Sequence, residues 1–150
     1  MELEKIFRGM SNGAEAIEAN FKQLSKLNND LPITGLLNVG KKAWSGAWYA
    51  GEGQSITPSI PLSKCLTGWM VTYQPYDSKT GKAQPWDTNH VLIPKTHPID
   101  FSGVAVVHHL ETLNGSKYNK YIYITDTTIK GHKNNSTASK DYVMVQIRAM

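Results

Sequence analysis

The chain has 150 residues, 40% of them apolar and 19% charged, with a formal net charge of +4. That mixture excludes a disordered chain and allows one compact domain with an appendage. The sixteen Lys and Arg residues are scattered in runs no longer than two, which argues against nucleic acid and leaves a mild preference for an anionic partner such as a wall polymer.

The N-terminus, Met-Glu-Leu-Glu-Lys, has no apolar signal-peptide core, so synthesis in the cytoplasm without an export signal is expected. No run approaches the roughly 20 apolar residues of a membrane helix, so no membrane insertion is expected. Leu3, Ile6 and Phe7 are apolar on a segment with no core of its own and read as a docking arm. A helix is expected over 11–27, with Ser11 or Asn12 as N-cap and Glu15 near the positive end of the dipole. Its apolar residues fall at Met10, Ala14, Ile17, Phe21, Leu24 and, past the polar Asn28, Leu31. Steps alternating between four and three describe a heptad seam, with Asn28 in one seam position. Such a stripe either packs on the chain's own β domain or joins sister chains in a short bundle, for which a trimer is expected. Asn28-Asn29-Asp30-Leu31-Pro32 should end the helix.

The span from Leu31 to Gly40 reads as a linker or a short strand. Strand-like runs follow at about 44–50, 54–57, 68–74, 88–93, 103–110, 119–126 and 141–149, separated by turn signals rich in Gly, Asn, Asp and Pro. The expected fold is therefore mainly β: a docking arm and helix over 1–31, a linker over 32–43, and an antiparallel sandwich or barrel over 44–150. In the last run Val143, Val145, Ile147 and Ala149 should share one face, and Tyr142, Met144, Gln146 and Arg148 the other. Trp69 and Tyr73 are expected in the core, and Cys65 as a small buried hydrophobe.

The five histidines form no H-x-x-x-H or C-x-x-C pattern, and the adjacent pair His108-His109 must face opposite sides of a strand, so no metal and no cofactor is expected. Ser45 lacks the elbow of a nucleophilic serine, and the carboxylates of the β half are scattered in turn-like contexts, so no catalytic residue is assigned. What remains is aromatic and polar side chains near loops. A saccharide site needs a ring face for the sugar's C–H surface and polar groups for its hydroxyls. Candidates of that kind are Trp48, Tyr49, Trp86, Asp87, His90, His108 and Tyr121.

The opening Ile6-Phe7-Arg8-Gly9-Met10-Ser11-Asn12-Gly13-Ala14-Glu15-Ala16-Ile17 resembles the start of lower baseplate, or receptor-binding, proteins of siphophages that infect Gram-positive bacteria. Later stretches are similar to the C-terminal domain of related phage and prophage tail proteins: Trp44 through Tyr49, Leu62 through Trp69, Ile93-Pro94-Lys95 and Tyr121 through Ile129. The resemblance implies a homotrimer whose helical front mounts on an upper baseplate or other tail protein. It also implies a β head that meets host cell-wall saccharide or teichoic acid, and residence in the virion's tail baseplate. Only about a dozen residues separate helix and head here, fewer than in the best-known proteins of that kind, which leaves room for a structural adaptor that never touches the host. A tail-carried wall-degrading enzyme is a further alternative.

Overall fold

The computed structural model describes residues 11–30, 33–136 and 142–150. Helix α1 spans Gly13–Asp30. The Asn12 carbonyl accepts the first intrahelical bond from the Ala16 N–H at 3.0 Å, and an exposed Glu18–Lys22 pair at 2.7 Å adds a few tenths of a kcal/mol one turn on. The helix continues through the Asn-Asn-Asp run expected to end it. Within the span read as linker or short strand, Ile33–Asn38 forms a second helix, α2. Tertiary contact explains the difference. A Cβ at Gly35 would sit 2.8 Å from the Cys65 carbonyl, so only glycine lets α2 lie against that backbone, and the Asn38 amide donates to the Lys64 carbonyl at 3.0 Å.

Among the described residues nine strands follow: β1 (Lys42–Trp48), β2 (Ser55–Ile56), β3 (Gly68–Asp77), β4 (Lys82–Ala83), β5 (Asn89–Pro94), β6 (Ala105–Glu111), β7 (Lys117–Ile124), β8 (Ile129–Gly131) and β9 (Tyr142–Ala149). A short helix, α3, occupies His97–Phe101 between β5 and β6. All strand pairs are antiparallel. One sheet runs β1-β9-β3 and ends on β4 and β5, which both pair with β3; the other runs β2-β8-β7-β6. The two sheets, one curved as a half-barrel, close on a single core. Trp69, Val71 and Tyr73 of β3 and Met144, Ile147 and Ala149 of β9 meet Leu110, Ile122, Ile124 and Ile129 of the opposite sheet there. Cys65 is buried in the same cluster, as expected of a small hydrophobe, and burial pushes its thiol pKa up.

The expected faces of β9 are not the observed ones. Tyr142 and Met144 lie in the core together with Ile147 and Ala149. Thr72 pairs with Gln146 and Tyr73 with Met144, so Val145 is one residue too many. This bulge swaps the inward face midway along the strand.

Side-chain amides complete the sheets where backbone pairing stops. Asn135 donates to the Ala50 and Tyr121 carbonyls at 2.7 and 2.6 Å and accepts from the Tyr121 N–H at 2.9 Å. Asn89 donates to the Glu111 carbonyl at 3.0 Å and accepts from the Glu111 N–H at 3.0 Å, tying the start of β5 to the end of β6 across the gap between the sheets. That second clasp fixes the geometry of the site.

Candidate functional site

A cleft of about 260 Å³ opens at the end of the sandwich where Asn89 joins the two sheets. Three pieces of chain form it. The loop before β5 brings Trp86 and Asp87, and the β6–β7 turn brings Thr112, Leu113 and Asn114. The floor is Pro75 of β3, Tyr118 of β7 and Tyr142 of β9. The turn is built for its shape: Gly115 takes φ 79°, the Thr112 N–H donates to Ser116 at 3.0 Å, and the Asn114 side-chain oxygen accepts from the Thr112 hydroxyl and the Ser116 N–H.

Asp87 is the hinge of the site. It holds a left-handed backbone at φ 49°, which Asp tolerates better than most residues. Its Oδ2 accepts from the Tyr142 hydroxyl at 2.5 Å and the Leu113 N–H at 3.3 Å, so one carboxylate oxygen clamps loop, turn and floor together. The Tyr118 and Tyr142 rings pack at 5.2 Å between centroids. Trp86, on the loop before β5, lines the same cleft and leaves 54% of its surface exposed. The result is an indole face beside hydroxyl, amide and carboxylate oxygens. That combination suits a sugar ring.

The seven candidates do not gather in one place. Trp86 and Asp87 line the cleft. Trp48 does not present a ring to solvent: it is 8% exposed in the core, edge-to-face with Trp44 at 6.5 Å. His108 is likewise buried, with its Nδ1 2.9 Å from the Tyr73 hydroxyl. Burial pushes the Tyr73 phenol up and the His108 pKa down to about 4, with His97 and His109 acting in the same direction on His108. Both rings are therefore neutral, and the phenol donates to Nδ1. His109 faces outward, where its Nδ1 lies 2.8 Å from the Asn119 amide oxygen. Tyr49 packs edge-to-face on Tyr76 at 4.9 Å, with Lys120 Nζ 5.9 Å from its centroid. His90 sits on the outer face of the first sheet, 3.1 Å from the Thr72 hydroxyl. Tyr121 lies on the outer face of the second sheet, 5.5 Å from the His132 ring.

The cleft also uses residues that sequence reasoning left out of the site. Tyr142 sits on the strand whose bulge reverses its face, and Thr112 to Asn114 read only as a turn. A turn signal beside a Trp-Asp pair was the available cue.

The stripe on α1 has its own geometry. Phe21 is 68% exposed, Ile17 44% and Leu24 43%, and Ala14 is exposed; Ala16 is buried, but among the described residues no side chain of this helix joins the main core cluster between the sheets. Met10, Leu31, the Asn28 side chain and the docking-arm residues Leu3, Ile6 and Phe7 lie outside the described residues. Among the described residues no three His, Cys, Asp or Glu side chains could hold a metal ion, and no helix is long and apolar enough to cross a membrane. Compared with protein-family models, curated proteins and solved structures, the chain finds no match.

Proposed function

We propose that this chain is a phage or prophage tail-baseplate protein that trimerises through α1 and presents its β head to the saccharide of a Gram-positive cell wall. The observation that carries this reading is the apolar stripe of Ile17, Phe21 and Leu24, exposed on a helix that, among the described residues, buries Ala16 but gives no side chain to the main core cluster. Fully burying side chains of this size is worth about 1.5–3 kcal/mol each. Sister helices are the economical cover, because a heptad seam matches itself. The N-terminal likeness to lower baseplate proteins points the same way, with the docking arm fastened to an upper baseplate or other tail protein.

The head fits recognition better than turnover. Among the described residues its cleft carries one carboxylate, Asp87, already held by Tyr142 and Leu113, so a two-carboxylate hydrolysis finds no second acid among them. A cleft this small binds weakly on its own, and threefold display on a repetitive polymer makes later contacts intramolecular. The full-length protein should therefore adsorb to purified Gram-positive walls, and a monomeric variant should adsorb at least 100-fold more weakly. An intact trimer that adsorbs to no wall would contradict host contact and leave the adaptor role. Sugar or phosphate released from walls would contradict the non-enzymatic reading.

A further inference from the structure

We infer that the Trp86–Asp87 cleft selects an uncharged sugar residue and excludes the phosphodiester of a teichoic-acid backbone. This rests on the saccharide-binding reading and narrows it to a ligand class. Among the described residues the lining contains no Lys, Arg or His, and its one charge is the Asp87 carboxylate. Asp87 Oδ2 is engaged by Tyr142 and Leu113, whereas Oδ1 accepts no hydrogen bond among the described residues. A carboxylate oxygen is an acceptor only, so it suits a hydroxyl or amide N–H and repels a phosphate. The exposed indole of Trp86 offers a flat apolar face, which a pyranose ring can cover with its C–H surface. At about 260 Å³ the cleft falls below the roughly 300–1,000 Å³ of drug-sized ligand sites, which fits one sugar residue of a polymer. The net charge of +4 acts elsewhere: its lysines are dispersed, so their pull on a polyanion is general and falls with salt.

The test is a titration of the full chain followed by the indole N–H resonance of Trp86. The probes are glucose and N-acetylglucosamine oligosaccharides, and a polyglycerol phosphate free of sugar substituents. Expected results are a saturable Trp86 shift with a sugar, unchanged between 0.05 and 0.5 M salt, and no Trp86 shift with polyglycerol phosphate. Trp86→Ala should weaken sugar binding at least tenfold with the fold retained. Asp87→Asn keeps an acceptor for Tyr142 while removing the charge, and should weaken sugar binding several-fold while relaxing the exclusion of phosphate. A saturable, salt-insensitive Trp86 shift with polyglycerol phosphate would overturn the charge selection and leave adsorption standing. Wall adsorption that is unchanged in Trp86→Ala, with no Trp86 shift from any probe, would remove the cleft from the account. Absence of adsorption to any wall would instead defeat the host-binding reading itself.

Discussion

Asn135 pairs with β7 as a strand would, through one side chain. Its amide meets both the N–H and the carbonyl of Tyr121 and also the Ala50 carbonyl. Asn135→Ala leaves the Tyr121 N–H and carbonyl unpaired at about 1–3 kcal/mol each, while the Ala50 carbonyl still accepts from the His132 N–H at 3.0 Å, and an overall loss of about 2–4 kcal/mol is expected in urea unfolding. A loss below about 0.5 kcal/mol, the scale of ordinary surface changes, would contradict that role. His108 makes a second residue-level prediction. Its folded pKa is held down to about 4 by burial, from an ordinary value of 6.5. Below about pH 6.5 the unfolded chain takes up a proton on this ring that the folded chain refuses. Stability is therefore complete above that pH and declines toward pH 4, by on the order of 3 kcal/mol at about 1.4 kcal/mol per pH unit. His97, also held down by burial, adds to the same slope. His108→Gln should flatten the decline between pH 7 and 4.5 in denaturant titrations; equal slopes would contradict it. Local pattern made several single residues legible: Trp69, Tyr73 and Cys65 are buried, and the histidine pair faces opposite sides, although pattern did not say that His108 is the buried one and so left it among the saccharide candidates. Trp48 was not legible, because a ring beside glycine and alanine reads alike in a core and on a loop.

Helix α1 carries the clearest prediction among the elements. Phe21→Glu places a charge in the seam without touching the core. It should weaken self-association by at least 1.5–3 kcal/mol per chain while the thermal transition of the head is unchanged. Coincident loss of assembly and of the head's transition, seen by circular dichroism, would show instead that the helix is part of the core. The strands were legible where alternation had room to show or a turn signal marked them: the seven expected runs overlap β1, β3, β5, β6, β7 and β9, and the two-residue β2 after the Gly51-Glu52-Gly53 turn. Strands β4 and β8 have two and three residues, too few for a period. The faces of β9 were misassigned because a bulge is a matter of partner register, and register with β3 is invisible in β9 alone. Helix α2 was misread for a similar reason. Its six residues have no helical period to display, and packing of Gly35 on Cys65 holds them.

At the scale of the molecule, two surfaces lie at different ends of the argument. One is a helix with an exposed apolar stripe, and the other a small aromatic cleft whose one carboxylate among the described residues is Asp87. The mainly β body behind an N-terminal helix was legible from the change in apolar periodicity along the chain. The cleft was not, since it draws on strands and turns separated by more than fifty residues, from Pro75 to Tyr142. If weak single-sugar sites are to hold a particle on a wall, the chain must be displayed in several copies, and the α1 seam is the proposed means of assembling them. Multi-angle light scattering of the purified full-length chain measures this directly. The account predicts a species three times the 16.7 kDa chain mass, falling to one chain in Phe21→Glu. A wild-type protein that elutes as a monomer at high concentration would contradict it.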